Sequence, residues 1–220
     1  MPIGRREFLA LAASGAALAL GEDSPKLPRR TGMGIGSSSY AIRSRAEKGF
    51  TDPLKFLEFC HERGAGGVQV PIGARDAEYA KSLRQRVEEL GMYLEGSLRT
   101  PRDESDVGRF EGEVRTARGA GASVVRTVML SGRRYETFKS SDEFRAFHKS
   151  SLSSLQLAEP VLARHKMKLA VENHKDYRTD QLADLMRRMD SEFIGVCVDT
   201  GNNIALLDDA LETAKTLAPW

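Results

Sequence analysis

The chain is poor in most of what would reveal a function by composition. Two cysteines in 220 residues, Cys60 and Cys197, are too few for a disulfide framework. One falls in a helical pattern and the other in a buried-strand pattern, so free thiols are expected. There are only four histidines, and His61, His148 and His165 lie in helical patterns, away from strand ends. A histidine-rich centre of several metals is therefore not what these residues supply. The formal charge is only +2, from 33 basic and 31 acidic residues. The two signs are interleaved, so the concentrated basic surface that nucleic acid requires is missing. No apolar run is long enough to span a bilayer comfortably, and nothing reads as an antiparallel hairpin.

What is present is ordinary globular composition, with 40% hydrophobic residues, enough for one sizeable domain. Residues 1–20 stand apart. Paired Arg5 and Arg6 precede Phe8-Leu9 and a short Ala/Leu stretch, the pattern of a twin-arginine-type export signal. That predicts a periplasmic protein with no membrane attachment after cleavage. Residues 21–31 carry Pro25 and Pro28 and read as a linker. From residue 32 onward, short apolar runs alternate with helical patterns in six units of about thirty residues. Asp52-Pro53 and Asp76 open helices, and Gly64 and Gly91 close them. A helix is expected over residues 141–165, kinked or split at Pro160.

The chemistry-bearing stretch holds two copies of one pattern, Leu169-Ala-Val-Glu-Asn-His174 and Phe193-Ile-Gly-Val-Cys-Val-Asp-Thr-Gly-Asn-Asn203. Each apolar run ends in an acid, Glu172 or Asp199. Adjacent parallel strands end side by side, so the two carboxylates are expected at one rim of the sheet. Like charges held close repel unless a cation lies between them, and oxygen ligands suit a divalent metal. Either acid could instead cap the helix that follows. The β-α repeat restricts the fold to an open, doubly wound sheet or a (β/α)8 barrel. A barrel needs eight units and typically about 250 residues.

The motifs Val171-Glu-Asn-His174 and Cys197-Val-Asp-Thr-Gly-Asn202 resemble the fifth- and sixth-strand ends of the xylose isomerase-like TIM barrel superfamily, which includes sugar isomerases, epimerases and inosose dehydratases. The resemblance implies an α/β (β/α)8 barrel over residues 32–220 with only about six units present, the chain being incomplete at its C-terminus. It implies Glu172 and Asp199 as two of four ligands to one divalent metal (Mn²⁺, Mg²⁺, Co²⁺ or Zn²⁺), with Glu172 also the catalytic base. Such a chain alone is expected to leave open strand edges and an uncovered apolar interior. It should then associate into oligomers, bind metal weakly and lack turnover. The ketose epimerases carry a substrate-binding His where this chain has Asn202, which is a departure from that particular activity.

Further candidates for substrate contact are His174, Asn202, Glu95 and Arg126, with Gln69 and Tyr40 as lesser ones. A charge inside a strand is costly to bury unpaired. Glu95 and Arg126 are therefore expected either as a buried pair or as substrate contacts at the pocket floor. The expected function is a metal-dependent sugar isomerase or epimerase working through an enediolate, on a small sugar or polyol. The alternatives are an inosose dehydratase-like lyase and an exported sugar-binding module without chemistry.

Overall fold

The structure, a computed structural model, describes residues 32–37 and 52–220. The expected export segment, the linker and Tyr40 lie outside the described residues. Six short strands alternate with helices: β1 (Gly34–Gly36), α1 (Pro53–His61), β2 (Gly67–Val70), α2 (Ala77–Leu90), β3 (Tyr93–Ser97), α3 (Val107–Gly119), β4 (Val124–Thr127), α4 (Arg134–Thr137), α5 (Ser141–His165), β5 (Lys168–Glu172), α6 (Thr179–Met189), β6 (Ile194–Cys197) and α7 (Ala210–Leu217). The strands form one sheet in sequence order, β1-β2-β3-β4-β5-β6, and every pairing is parallel. This is a partial (β/α) barrel. No described helix is long and apolar enough to cross a membrane.

The helix ends follow the local chemistry. Asp52 Oδ1 accepts from Leu54 N at 3.0 Å, with Pro53 beginning α1. Asp76 Oδ1 accepts from Tyr79 N at 2.7 Å, and Gly91 ends α2 in the left-handed conformation (φ 62). Asp209 accepts two amides at 2.9 Å at the start of α7. Each such cap is worth about 1 kcal/mol. Pro160 does not split the helix, for α5 is continuous over 25 residues. Pro160 and Gln156, whose carbonyl loses its helical donor, both lie on the exposed face of α5. Water can satisfy that carbonyl, so the helix survives the proline.

Side chains alternate across a strand, and here the alternation divides the labour. Val68, Val70, Leu94, Val125, Leu169, Val171 and Ile194 are buried in the core that Phe56, Leu83, Phe110, Leu162 and Met186 of the helices complete. The opposite face carries Gln69, Tyr93, Glu95, Arg126 and Glu172, with Gly34, Gly67 and Gly195 between them. The uncovered apolar interior expected from the sequence is thus a polar surface, because the apolar positions were taken by the helices. At its lower end the Tyr93 ring lies across β1 and β2. A Cβ on Gly67 would sit 2.4 Å from that ring, so only glycine leaves it room. The outer side of β6 is not wholly open either. Val196 N donates to Trp220 O at 3.3 Å, and a Cβ on Gly195 would meet that carbonyl at 2.3 Å.

Candidate active site

The register determines which side chains meet. Gln69 stands opposite Glu95, Ser97 opposite Arg126, Arg126 opposite Ala170, and Glu172 opposite Cys197. Arg126 therefore lies one layer above Glu95. Its guanidinium reaches across β5 and donates from Nε to Glu172 Oε2. The expected Glu95–Arg126 pair does not form. Glu95 instead accepts from Gln69 Nε2 at 3.0 Å, its neighbour in the same layer. The Arg126 and Glu172 side chains are only 16% and 9% exposed, so the pair is well shielded from solvent.

Glu172 is held on its other side as well. Asn202 Nδ2 donates to Glu172 Oε1 at 3.2 Å, and Asn202 is itself buried. Asp199 follows β6 by two residues. Its Oδ1 accepts from the amides of Gly201 at 2.7 Å and Asn202 at 3.1 Å, so it does make the local turn that a capping acid makes. Among the described residues its Oδ2 has no hydrogen bond or ion pair. Asn173 locks the two strand ends together: its amide donates to Asp199 O at 2.9 Å and accepts from Asp199 N at 2.6 Å. Cys197 lies among these groups. Its thiol is pushed up to about 11, first by burial and then by the charge of Glu172, with Arg126 opposing and Glu95 and Asp199 adding.

His174 sits at the rim, half-buried. Its Nδ1 faces Leu130 O at 3.1 Å. A carbonyl can only accept, so Nδ1 carries the ring hydrogen and Nε2 of the neutral ring is left as an acceptor. Sequence reasoning missed the residue that organises this corner, Asp176. Fully buried, it accepts from Leu130 N at 3.2 Å, His174 N at 3.1 Å and Tyr177 N at 2.8 Å. It thereby ties the loop after β4 to the loop after β5. Burial raises its pKa, and the three amides pull the other way. Asn173 was missed too, although it lies inside the recognised motif. An Asn beside a strand-end acid was the available signal.

Oxygen donors such as the free Asp199 Oδ2 and the remaining lone pairs of Glu172 suit a hard divalent cation. Among the described residues no group of three or more His, Cys, Asp or Glu side chains is arranged to hold a metal ion.

Parallel strands in sequence order, each followed by a helix and with polar side chains gathered at their C-terminal ends, define the (β/α)-barrel fold. Residues 57–218 match the xylose isomerase-like TIM barrel family, and the chain belongs to that family. It is 28% identical over 193 residues to a 3-oxo-isoapionate decarboxylase from Pectobacterium atrosepticum, with 84% of this chain covered. The chain spans 65% of the length of that relative. An L-ribulose 3-epimerase has the same fold, with a TM-score of 0.65, 14% identity, and coverage of 84% of this chain and 66% of that one. A 3-keto-D-glucoside 4-epimerase from E. coli gives a TM-score of 0.66 at 13% identity, covering 86% and 76%.

Proposed function

We propose that the protein is a metal-dependent sugar isomerase or epimerase that moves a proton on the carbon beside a carbonyl. The observation that carries this reading is Glu172, a buried carboxylate at the end of β5 steadied through both oxygens by Arg126 and Asn202. It is supported by membership of the family and by fold relatives that are sugar epimerases. The substrate is a small sugar or polyol lying across the polar face of the sheet. Glu172 accepts the proton from the carbon next to the carbonyl, and the electron pair moves onto the carbonyl oxygen. Arg126 and Asn202 hold the carboxylate in line, and the neutral Nε2 of His174 takes a hydrogen bond from a sugar hydroxyl. Glu95 and Gln69 face hydroxyls deeper in the pocket. Glu172 and Asp199 would help to hold a divalent cation, which would supply positive charge against the developing oxyanion. Return of the proton from Glu172 to the neighbouring carbon isomerises the sugar, and protonation of the opposite face by solvent epimerises it. The same reading takes the substrate in the periplasm, after export by way of Arg5 and Arg6, and lets copies of the chain associate.

The curated relative favours a second reading. Loss of carbon dioxide from a 3-oxo sugar acid leaves the same electron pair beside a carbonyl, and Glu172 would then hand a proton back. One experiment separates the two. The protein is incubated in D₂O with Mn²⁺ and a panel of ketoses and 3-oxo sugar acids, and the products are followed by NMR. Deuterium uptake beside the carbonyl of a ketose, abolished in Glu172→Gln, is the expected result, and it would overturn the expectation that six units alone lack turnover. Carbon dioxide release from an oxo acid alone would establish the second reading. No exchange and no release would overturn both.

A further inference from the structure

Above β3 the chain carries a guanidinium with nothing to bind. Leu98 N still pairs with Arg126 O at 3.0 Å, so the chain leaves the sheet just past Ser97, the residue opposite Arg126. Arg99 follows at the same end of the barrel as Glu172 and Asp199. Among the described residues its side chain has no hydrogen bond and no ion pair, although its backbone oxygen accepts from Arg109 at 3.1 Å. Arg102 is 85% exposed and only approaches Asp106, at 3.5 Å. Asp106 is shared with Arg109, which binds both of its oxygens at 2.7 and 2.9 Å.

Arg99 and Arg102 line a cavity of about 360 Å³ between the loops after β3 and β4 and the flank of α5. Ser131 adds a hydroxyl, the Ser150 hydroxyl being taken by Phe147 O at 2.9 Å, and Met129 and Phe147 give it an apolar wall. No acidic residue lines it. The adjoining cavity of about 470 Å³ shares both arginines, but there Arg109 is balanced by Asp106 and by Glu113 at 3.1 Å. Arg102 and Arg109 are thus matched by Asp106 and Glu113, and the uncompensated positive charge is that of Arg99. A planar guanidinium with a nearby hydroxyl matches an oxyanion, and the wall of Met129 and Phe147 fits a short carbon chain.

We propose that this cavity is an oxyanion subsite, and that the sugar bound at Glu172 is an anionic one whose phosphate or carboxylate lies on Arg99. The second clause rests on the sugar-enzyme reading above; the first does not. Calorimetric titration tests both with fructose, fructose phosphate, gluconate and inorganic phosphate, on the parent protein, Arg99→Gln and Arg99→Lys. A charge-assisted hydrogen bond predicts that an anionic sugar binds about tenfold or more tightly than fructose. That preference should vanish in Arg99→Gln, return in part in Arg99→Lys and shrink as salt is added. Whether fructose phosphate or gluconate shows it identifies the group. Arg99 is exposed, and unchanged thermal melting of the variants shows that loss of binding is not loss of fold. If inorganic phosphate binds through Arg99 but no sugar binds, the subsite stands and the sugar reading falls. If fructose exchanges deuterium while anionic sugars gain nothing from Arg99, the subsite is overturned and the sugar reading stands.

Discussion

Removing one member of the Arg126–Glu172 pair should cost far more than removing both. The Glu172 side chain is 9% exposed and that of Arg126 16%, so neither charge can turn to bulk water when its partner is cut away. At about 4 Å between charge centres and an effective dielectric constant of about 20, the attraction is roughly 4 kcal/mol. Breaking a buried pair from one side typically costs about 3–5 kcal/mol, because a desolvated charge is left behind. Arg126→Met should accordingly lose about 3 kcal/mol or more, since Asn202 still holds one Glu172 oxygen. Glu172→Met should lose a similar amount. The double variant should lie close to the parent, because two apolar side chains of similar length leave no charge to desolvate. Urea unfolding, extrapolated to water, gives the three differences and hence the coupling energy. The coupling should be barely sensitive to salt, as buried pairs are weakly screened. A coupling below about 0.5 kcal/mol, or one that fades with added salt, would mean that the pair is solvated and that Glu172 is not held as described.

Asp176 predicts a pH effect of defined sign. Burial raises its folded pKa, so its contribution to stability is complete below the unfolded value of about 3.9 and is lost as pH rises through the folded value. Urea unfolding across that window should show the parent losing stability relative to Asp176→Asn as pH rises. A gap that stays constant or widens in favour of the parent would be contrary evidence. The thiols offer a third check. Burial pushes Cys60 up to about 11, Arg63 pulling slightly downward, and Cys197 also stands at about 11. The thiolate is the reactive form, so both should react with a thiol reagent at pH 8 on the order of 100-fold more slowly than in the urea-unfolded chain. Equal rates in the two states would contradict the burial.

Helices and strand ends were legible because their signals are local. Asp52-Pro53, Asp76 and Gly91 each act within one turn of helix, and they bound helices where expected. The convergence of Glu172 and Asp199 was legible for a similar reason, since consecutive parallel strands must end together. The partner of Arg126 was not. Whether it meets Glu95 or Glu172 depends on how far β3 is advanced against β4, and no residue near Arg126 records that. Asp176 was not singled out, because its contact in the neighbouring loop, Leu130, lies 46 residues away. Asn202 was read as a substrate contact on analogy with a histidine. Its amide also donates to Glu172 at 3.2 Å, a contact across 30 residues that the strand-end motif alone does not record.

The same register that hid the Arg126 partnership is also what secures the site. Along β2 to β5, Val68, Val70, Leu94, Val125, Leu169 and Val171 point to the helices, while Gln69, Glu95, Arg126 and Glu172 point to the opposite face. A one-residue slip of any strand would turn its apolar set out and its charges into the core. Burying a side chain such as valine or leucine is worth about 1.5–3 kcal/mol, and burying an unpaired charge costs more than that. A slipped strand therefore loses on both faces at once. The charged residues need no interaction of their own to reach the right layer, because the apolar residues beside them hold the strand there. Arg126 and Glu172 can then be spent on each other and on a substrate, and their placement survives even where their own pairing contributes little net stability.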